Sequence, residues 1–330
     1  MKKLFIIAAA ACVTLASCVK NEPVQTPEFG DEISFEPPVL ATTKAVGIVE
    51  GTFATTKEFH VNSYFTETAG FAVGTDYMTE PGETIGYVSE AWRATSGNKY
   101  YWPKSGYLHF LAYYPAAAAN ASIGQYGVKF TDYVVAAAAD VDLMYSDLVE
   151  DAQKPTPNAA VQLSFNHALS AIEFKVSGAT EPAYELTGIT IEDVQTTGSF
   201  NQNLDDDEKD PAWGAPSAPS PVSDYVAYVA PLVESVQDGI AVTATSVFVH
   251  NESVERGSEA SLILLPQNVA GKTVHVTFNM NGLPQEVDFT LTGAWLMGYR
   301  YTYSLSFTPD EITFSPTAEV WETGTGSSMN

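Results

Sequence analysis

Apolar and polar residues alternate along most of this chain in short runs that stop at Gly, Pro, Asn or Asp. A period of two belongs to a strand that turns one side chain in two toward a core. The segments EFHVNSYF (58–65), GFAVGTDYM (70–78), TIGYVSEAWRA (84–94), NKYYWP (98–103), YLHFLAYYP (107–115), YGVKFTDY (126–133) and DVDLMYSD (140–147) follow one another in this way. In AVQLSFNHALSAIEFKVSG (160–178) the alternation runs through Val161, Leu163 and Phe165, then through Ile172, Phe174 and Val176. This predicts two strand halves with a bend, or one strand bulged at His167. Further runs follow at 186–195, 198–201, 224–232, 240–250, 260–267, 273–281, 286–293, 299–309 and 311–321. Short strands at this spacing mean an all-β sandwich or barrel, and no helix of ordinary length is predicted. Ala116–Ala119 and Ala136–Ala139 are too short for independent helices. Residues 205–221 read as an acidic, then Pro-rich surface loop. The strand count suggests two sandwiches dividing near residue 178, with the loop at 151–158 as the competing place.

The stretch DEISFEPPVLATTKA (31–45) stands before all of these. Ile33, Phe35 and Val39 have the spacing of side chains on one face of a strand. Pro37 and Pro38 interrupt it and place it at a sheet edge. Behind it Lys44 is an isolated basic residue in an acidic chain, followed by Ala45, as in an exposed site for a trypsin-like protease. An ordinary first strand with a linker fits these residues equally well.

Composition supports strands: aromatic residues are 12%, with 17 Tyr and 17 Phe, types suited to half-buried pleated faces. The first residues are different. Lys2 and Lys3 precede an apolar run from Leu4 to Ala11, the pattern of a secretory signal over 1–17. Leu15-Ala16-Ser17-Cys18 resembles the lipobox of bacterial lipoproteins, in which the cysteine, here Cys18, is lipidated and becomes the first residue. Residues 19–30 then form a tether. Cys12 lies inside the signal, so the mature chain has no thiol pair and its stability must come from its core. With 15 Lys+Arg against 40 Asp+Glu, the chain would be repelled by nucleic acid and by an anionic membrane surface, so neither is expected as a direct partner.

Little in the sequence points to catalysis. His60, His109, His167, His250 and His275 fall in five different predicted strands, without paired ligand spacing. Glu67, Glu90, Glu173 and Glu192 could supply a carboxylate pair, but nothing sets any two of them at a working separation. Asp205, Asp206, Asp207, Glu208 and Asp210 lack the alternating spacing and central Gly of a calcium loop. No cofactor and no enzyme activity are expected. Trp92, Tyr100, Tyr101 and Trp102, if exposed, could form a platform for sugar rings, which is the alternative function: a monomeric glycan-binding surface lipoprotein.

A more specific reading comes from the order of several motifs: the lipobox at Cys18, ISFEPP followed by ATTKA, YYWP with LHFLAYYP, DLMYSD, LSFNHALSAIEFKV, ITIEDVQTTGSFN, LILLPQ, LTGAWLMGYRYTYSLSF and EITFSPTAEVW. Together they resemble the fimbrillin family (Mfa-like, FimA-like) of Bacteroidia lipoproteins, the subunits of type V pili. The resemblance implies an all-β fold of two tandem transthyretin-like β-sandwich domains, which here would be 45–178 and 179–330. It also implies that a trypsin-like surface protease cuts behind the first strand. That strand is then lost from 18–44, and a strand from the next subunit fills the groove it leaves. In this chain the lost strand would carry Ile33, Phe35 and Val39, and the cut would fall between Lys44 and Ala45. The family often has Arg where this chain has Lys44. The donor would be drawn from EITFSPTAEVW, with Ile312, Phe314 and Val320 as plugs. The implied partners are other pilus subunits, the protease, the outer membrane through the lipid at Cys18 before cutting, and a host or bacterial surface ligand. The implied location is the outer membrane first and the surface fimbrium afterwards.

Overall fold

The computed structural model describes residues 31–40, 53–71, 75–124, 126–139, 141–155, 157, 159–204, 210–233, 236–249 and 262–321. All regular structure among them is β, as the alternation predicts, and both alanine runs lie in turns.

The N-terminal part is built on a nine-stranded sheet. Along its main path the strands run Val39–Leu40, Ser164–His167, Met144–Ser146, Tyr107–Tyr114, Phe59–Thr66, Glu83–Val88 and Ala91–Ala94. The central strand Tyr107–Tyr114 is buried at every position but its ends, which is why its sequence is a nearly unbroken apolar run rather than an alternation. Its Leu108, Phe110 and Ala112 face a smaller hydrophobic cluster that also holds Ile33, Phe35, Phe59, Trp92, Trp102 and Phe165. Tyr113, on the other face, joins a larger cluster. There a four-stranded sheet, which includes Gly127–Val134 and Thr197–Asn201, lies against it. Tyr113 meets Phe130 edge-on at 5.9 Å, and Tyr145 meets Phe200 at 4.8 Å.

The C-terminal part pairs two five-stranded sheets face to face. One runs Val247–Val249, Ser170–Gly178, Tyr299–Phe307, Ile312–Val320; the other runs Val222–Val229, Tyr184–Gln195, Thr273–Met280, Leu283–Thr290. Their inner faces meet through Phe278 on Phe307 at 5.2 Å and Phe289 on Phe314 at 4.9 Å, the arrangement of a β-sandwich. The chain changes sheets at Ala168 and Leu169, both fully buried. Of the two sequence readings of 160–178, the two strand halves are therefore the observed one. Ser170–Gly178 already belongs to the C-terminal sheets, ahead of position 178, and the larger cluster is continuous across that position.

The opening segment departs from the expectation of an edge strand. Over 31–36 it lies between two neighbours: Phe35 bridges Trp92 on one side and Val161 on the other. It thereby joins the strand Ala91–Ala94 at one end of the sheet path to the chain leading into Ser164–His167 near the other. Beyond the prolines one neighbour remains among the described residues, with Val39 and Leu40 paired parallel to Ser164 and Phe165. Pro37 and Pro38 have no N–H to donate, so two-sided bonding ends at Glu36. They also shift the side-chain phase: Pro38 is buried and Val39 is 44% exposed. Val39 therefore does not face the core, whereas Ile33 and Phe35, each 5% exposed, do.

Candidate functional site

The most developed site on the molecule is the seat of this opening segment. Along one wall the Ile33 N–H donates to the Tyr100 carbonyl at 2.8 Å, the Phe35 N–H to Trp92 at 3.1 Å, and the Trp102 N–H to Asp31 at 3.1 Å. On the other wall the Val161 N–H donates to Ser34 at 2.8 Å, Glu36 to Val161 at 2.9 Å, and Val39 to Leu163 at 3.1 Å. Gln162 Nε2 donates to the Pro37 carbonyl at 3.2 Å. The Phe35 ring stands edge-on to Phe59 at 6.1 Å and to Phe110 at 5.9 Å, a geometry that adds to the area it buries.

One buried carboxylate braces the first wall. Glu83 accepts from Tyr100 Oη at 2.5 Å, Asn98 Nδ2 at 2.7 Å and Ser96 Oγ at 2.8 Å. Burial alone would raise its pKa, but these donors outweigh it and hold the carboxyl below the usual range. The seat also has a cationic mouth. Glu32 is 3.2 Å from Lys99 Nζ and 3.6 Å from Arg93 Nη1, and Asp31 is 3.1 Å from Lys154 Nζ.

The closing strand, Ile312–Val320, pairs antiparallel to Tyr299–Phe307 and has no other strand partner among the described residues. Ile312, Phe314 and Val320 are half-buried. Phe314 stacks between Tyr303, at 5.0 Å and 4°, and Phe289, at 4.9 Å and 14°. The next residue, Trp321, is buried and stacks on His167 at 3.8 Å and 8°. Its N–H donates to Gly298 at 2.7 Å, and His167 Nδ1 lies 2.9 Å from Asp142 Oδ2.

Cys18, Lys44, Ala45, His250 and the acidic residues 205–208 lie outside the described residues. The aromatic platform is not formed: Trp92 and Trp102 are 3% and 4% exposed and pack in the smaller cluster. Their bulk serves the seat rather than a sugar. Glu173 is buried against Arg300 Nε at 3.1 Å and accepts from Thr302, an internal ion pair. His60 and His109 are held below the ordinary histidine pKa by burial, whereas the hydrogen bond to Asp288 raises that of His275.

One cluster could not be read from the sequence. His109, Glu150 and Asp151 bring potential ligand atoms within 4.8 Å of one another. Each is already engaged: His109 Nδ1 accepts the Asp151 N–H, Glu150 accepts from Phe71 and Asp151 from Gly70, both at 2.7 Å. The cluster fastens residues 70–71 to the sheet.

A profile of the family described as fimbrillin-like matches residues 43–321. No curated protein sequence matches the chain. Among solved structures, a fimbrial protein from Bacteroides vulgatus superposes with a TM-score of 0.60 at 18% identity, covering 88% of this chain and 99% of that one. A candidate cell adhesion protein from Bacteroides ovatus gives 0.55 at 15% identity, covering 88% and 96%. A second, from Bacteroides uniformis, gives 0.50 at 18% identity, covering 89% and 98%.

Proposed function

The chain belongs to the fimbrillin-like family, and from that premise we propose that it is a pilus subunit assembled by replacement of its opening segment. The family gives the chain a structural, non-enzymatic role at the cell surface, in company with other pilus subunits. The finer reading rests on the seat. Residues 31–36 are bonded along both main-chain edges, and Ile33 and Phe35 are buried between the walls. Its removal would leave open a row of donors and acceptors together with apolar pockets, the combination that strand addition needs.

On this reading the lipid on Cys18 holds the precursor at the outer membrane. A trypsin-like protease cuts between Lys44 and Ala45, and a strand of the next subunit takes the vacated seat. The same step frees the body from its lipid. We also read the chain as two tandem sandwich units. Adhesion to a host or bacterial surface would follow from the assembled fimbrium, and the buried Trp92 and Trp102 remove the basis for the glycan-platform alternative.

Limited trypsin treatment of the full chain tests the mechanism. The expected product begins at Ala45 and forms SDS-resistant, heat-sensitive ladders, while Lys44→Ala folds normally and stays monomeric. A cut product that remains monomeric at high concentration would defeat the proposal.

A further inference from the structure

Far from the seat, the Pro-rich stretch 214–220 lines an open groove of about 670 Å³. Ligand sites commonly hold about 300–1,000 Å³. Trp213, half-buried in the strand Ala212–Gly214, lines it too, and so do residues 265–268, Gln195 and Lys272.

The lining is held in place before any ligand arrives, which lowers the cost of binding. The Ser217 N–H donates to Asp132 Oδ1 at 2.6 Å, and the Thr197 N–H to Ser220 Oγ at 3.1 Å. Gln267 clamps the main chain of Gln195: its Oε1 accepts the N–H at 2.8 Å and its Nε2 donates to the carbonyl at 3.1 Å. The Trp213 N–H donates to the Ala168 carbonyl, and its ring packs on Phe200 at 5.7 Å and Tyr133 at 6.3 Å. A Cβ at Gly198 would stand 2.9 Å from Cε3 of that ring, so a side chain there would push the indole away.

Other polar groups of the lining stay unused. Lys272 Nζ, the Gln195 amide and Asn268 Nδ2 have no partner among the described residues. Lys272 is also the one charge on the lining, and no lining residue is acidic, in a chain with 15 Lys+Arg against 40 Asp+Glu. A cleft of one sign within a surface of the other selects its ligand by charge.

We propose that this groove binds a glycan carrying a carboxylate, as uronic and sialic acids do. A sugar ring lays its polarised C–H face on the electron-rich face of Trp213. Its carboxylate pairs with Lys272, and its hydroxyls bond the Gln195 and Asn268 amides. Nothing in this site depends on strand replacement, so its failure would leave that reading in place.

The test titrates the full chain by calorimetry with sialyllactose, an oligogalacturonate and a hyaluronan oligosaccharide, using lactose and chitotetraose as neutral controls. At least one acidic sugar is expected to bind about fivefold more tightly than the neutral ones. Lys272→Gln should abolish that preference while leaving neutral binding unchanged, and Lys272→Arg should keep it. Gln195→Ala should weaken acidic and neutral sugars alike, by about two- to tenfold. Trp213→Phe, which keeps a ring against Phe200, should weaken both by about threefold. Unchanged thermal unfolding of Lys272→Gln and Gln195→Ala would show that these losses come from the groove. Binding confined to sialyllactose, or to the uronides, supports the proposal and identifies the acid. Acidic sugars that bind no better than neutral ones, or a preference that survives Lys272→Gln, overturn it.

Discussion

Phe35 and Phe314 sit in almost the same local sequence, and the fold treats them differently. Phe35 is 5% exposed, has rings set edge-on around it, and is held by main chain on both sides. Phe314 is half-buried in a flat stack, on a strand with one neighbour among the described residues. Identical residues therefore contribute unequally, and the difference lies in how many walls surround them.

The widest test of that contrast is a pair of truncations in the intact chain. Phe35→Ala should cost about 3–5 kcal/mol in denaturant unfolding, the range for a fully buried aromatic. Phe314→Ala should cost less, about 2 kcal/mol, since its ring is only partly buried. Equal losses would erase the distinction between the two ends. Next in size is the brace behind the seat. Glu83→Gln keeps the shape but removes the charge, leaving one amide oxygen to accept and setting an NH2 group, which cannot accept, where the second carboxylate oxygen stood, with an expected loss of about 1.5–3 kcal/mol. Because the folded pKa of Glu83 is depressed, its contribution is present above the unfolded carboxylate pKa and is lost as pH falls through the lower folded value. The Gln variant should flatten that acid limb.

Histidine titration separates the two parts of the molecule by sign. Burial lowers the pKa of His60 and His109, both in the N-terminal sheet, so the folded form resists their protonation. Stability there should fall as pH drops below about 6.5. His275, in the C-terminal sandwich, has a raised pKa from its hydrogen bond to Asp288; its contribution is complete below that same value and fades as pH rises through the folded pKa. Hydrogen exchange at pH 7 and pH 5 should show protection falling in Phe59–Thr66 and Tyr107–Tyr114 but not in Thr273–Met280. The smallest effect belongs to the mouth. Lys154→Ala should change unfolding stability by less than about 1 kcal/mol, and less again in high salt, because its pair with Asp31 is half-exposed.

Most strands were legible because half-buried strands enforce a period of two, and the burial of Ile33 and Phe35 was legible for the same reason. The failures have local causes. Two prolines in sequence predict an edge, yet here they mark only where bonding to the first wall stops, and they reset the phase that would have turned Val39 inward. Trp92 and Trp102 could not be oriented from sequence, since strand aromatics occur on either face and only the seat decides. His109 with Glu150 and Asp151 was invisible because the residues are some forty positions apart and meet only through strand pairing.

The two-sided seat also fixes an order of folding. Its walls come from residues around Trp92 and Val161, and the contact from Gln162 to Pro37 spans 125 positions. The segment precedes both of its walls in the chain, so it can be seated only once they have been made, through a non-local closure of the kind that slows folding. Until then a growing chain presents an open strand edge lined with aromatic rings, the kind of surface that promotes aggregation. Carrying its own occupant in the same polypeptide gives each molecule an internal chaperone at high effective concentration.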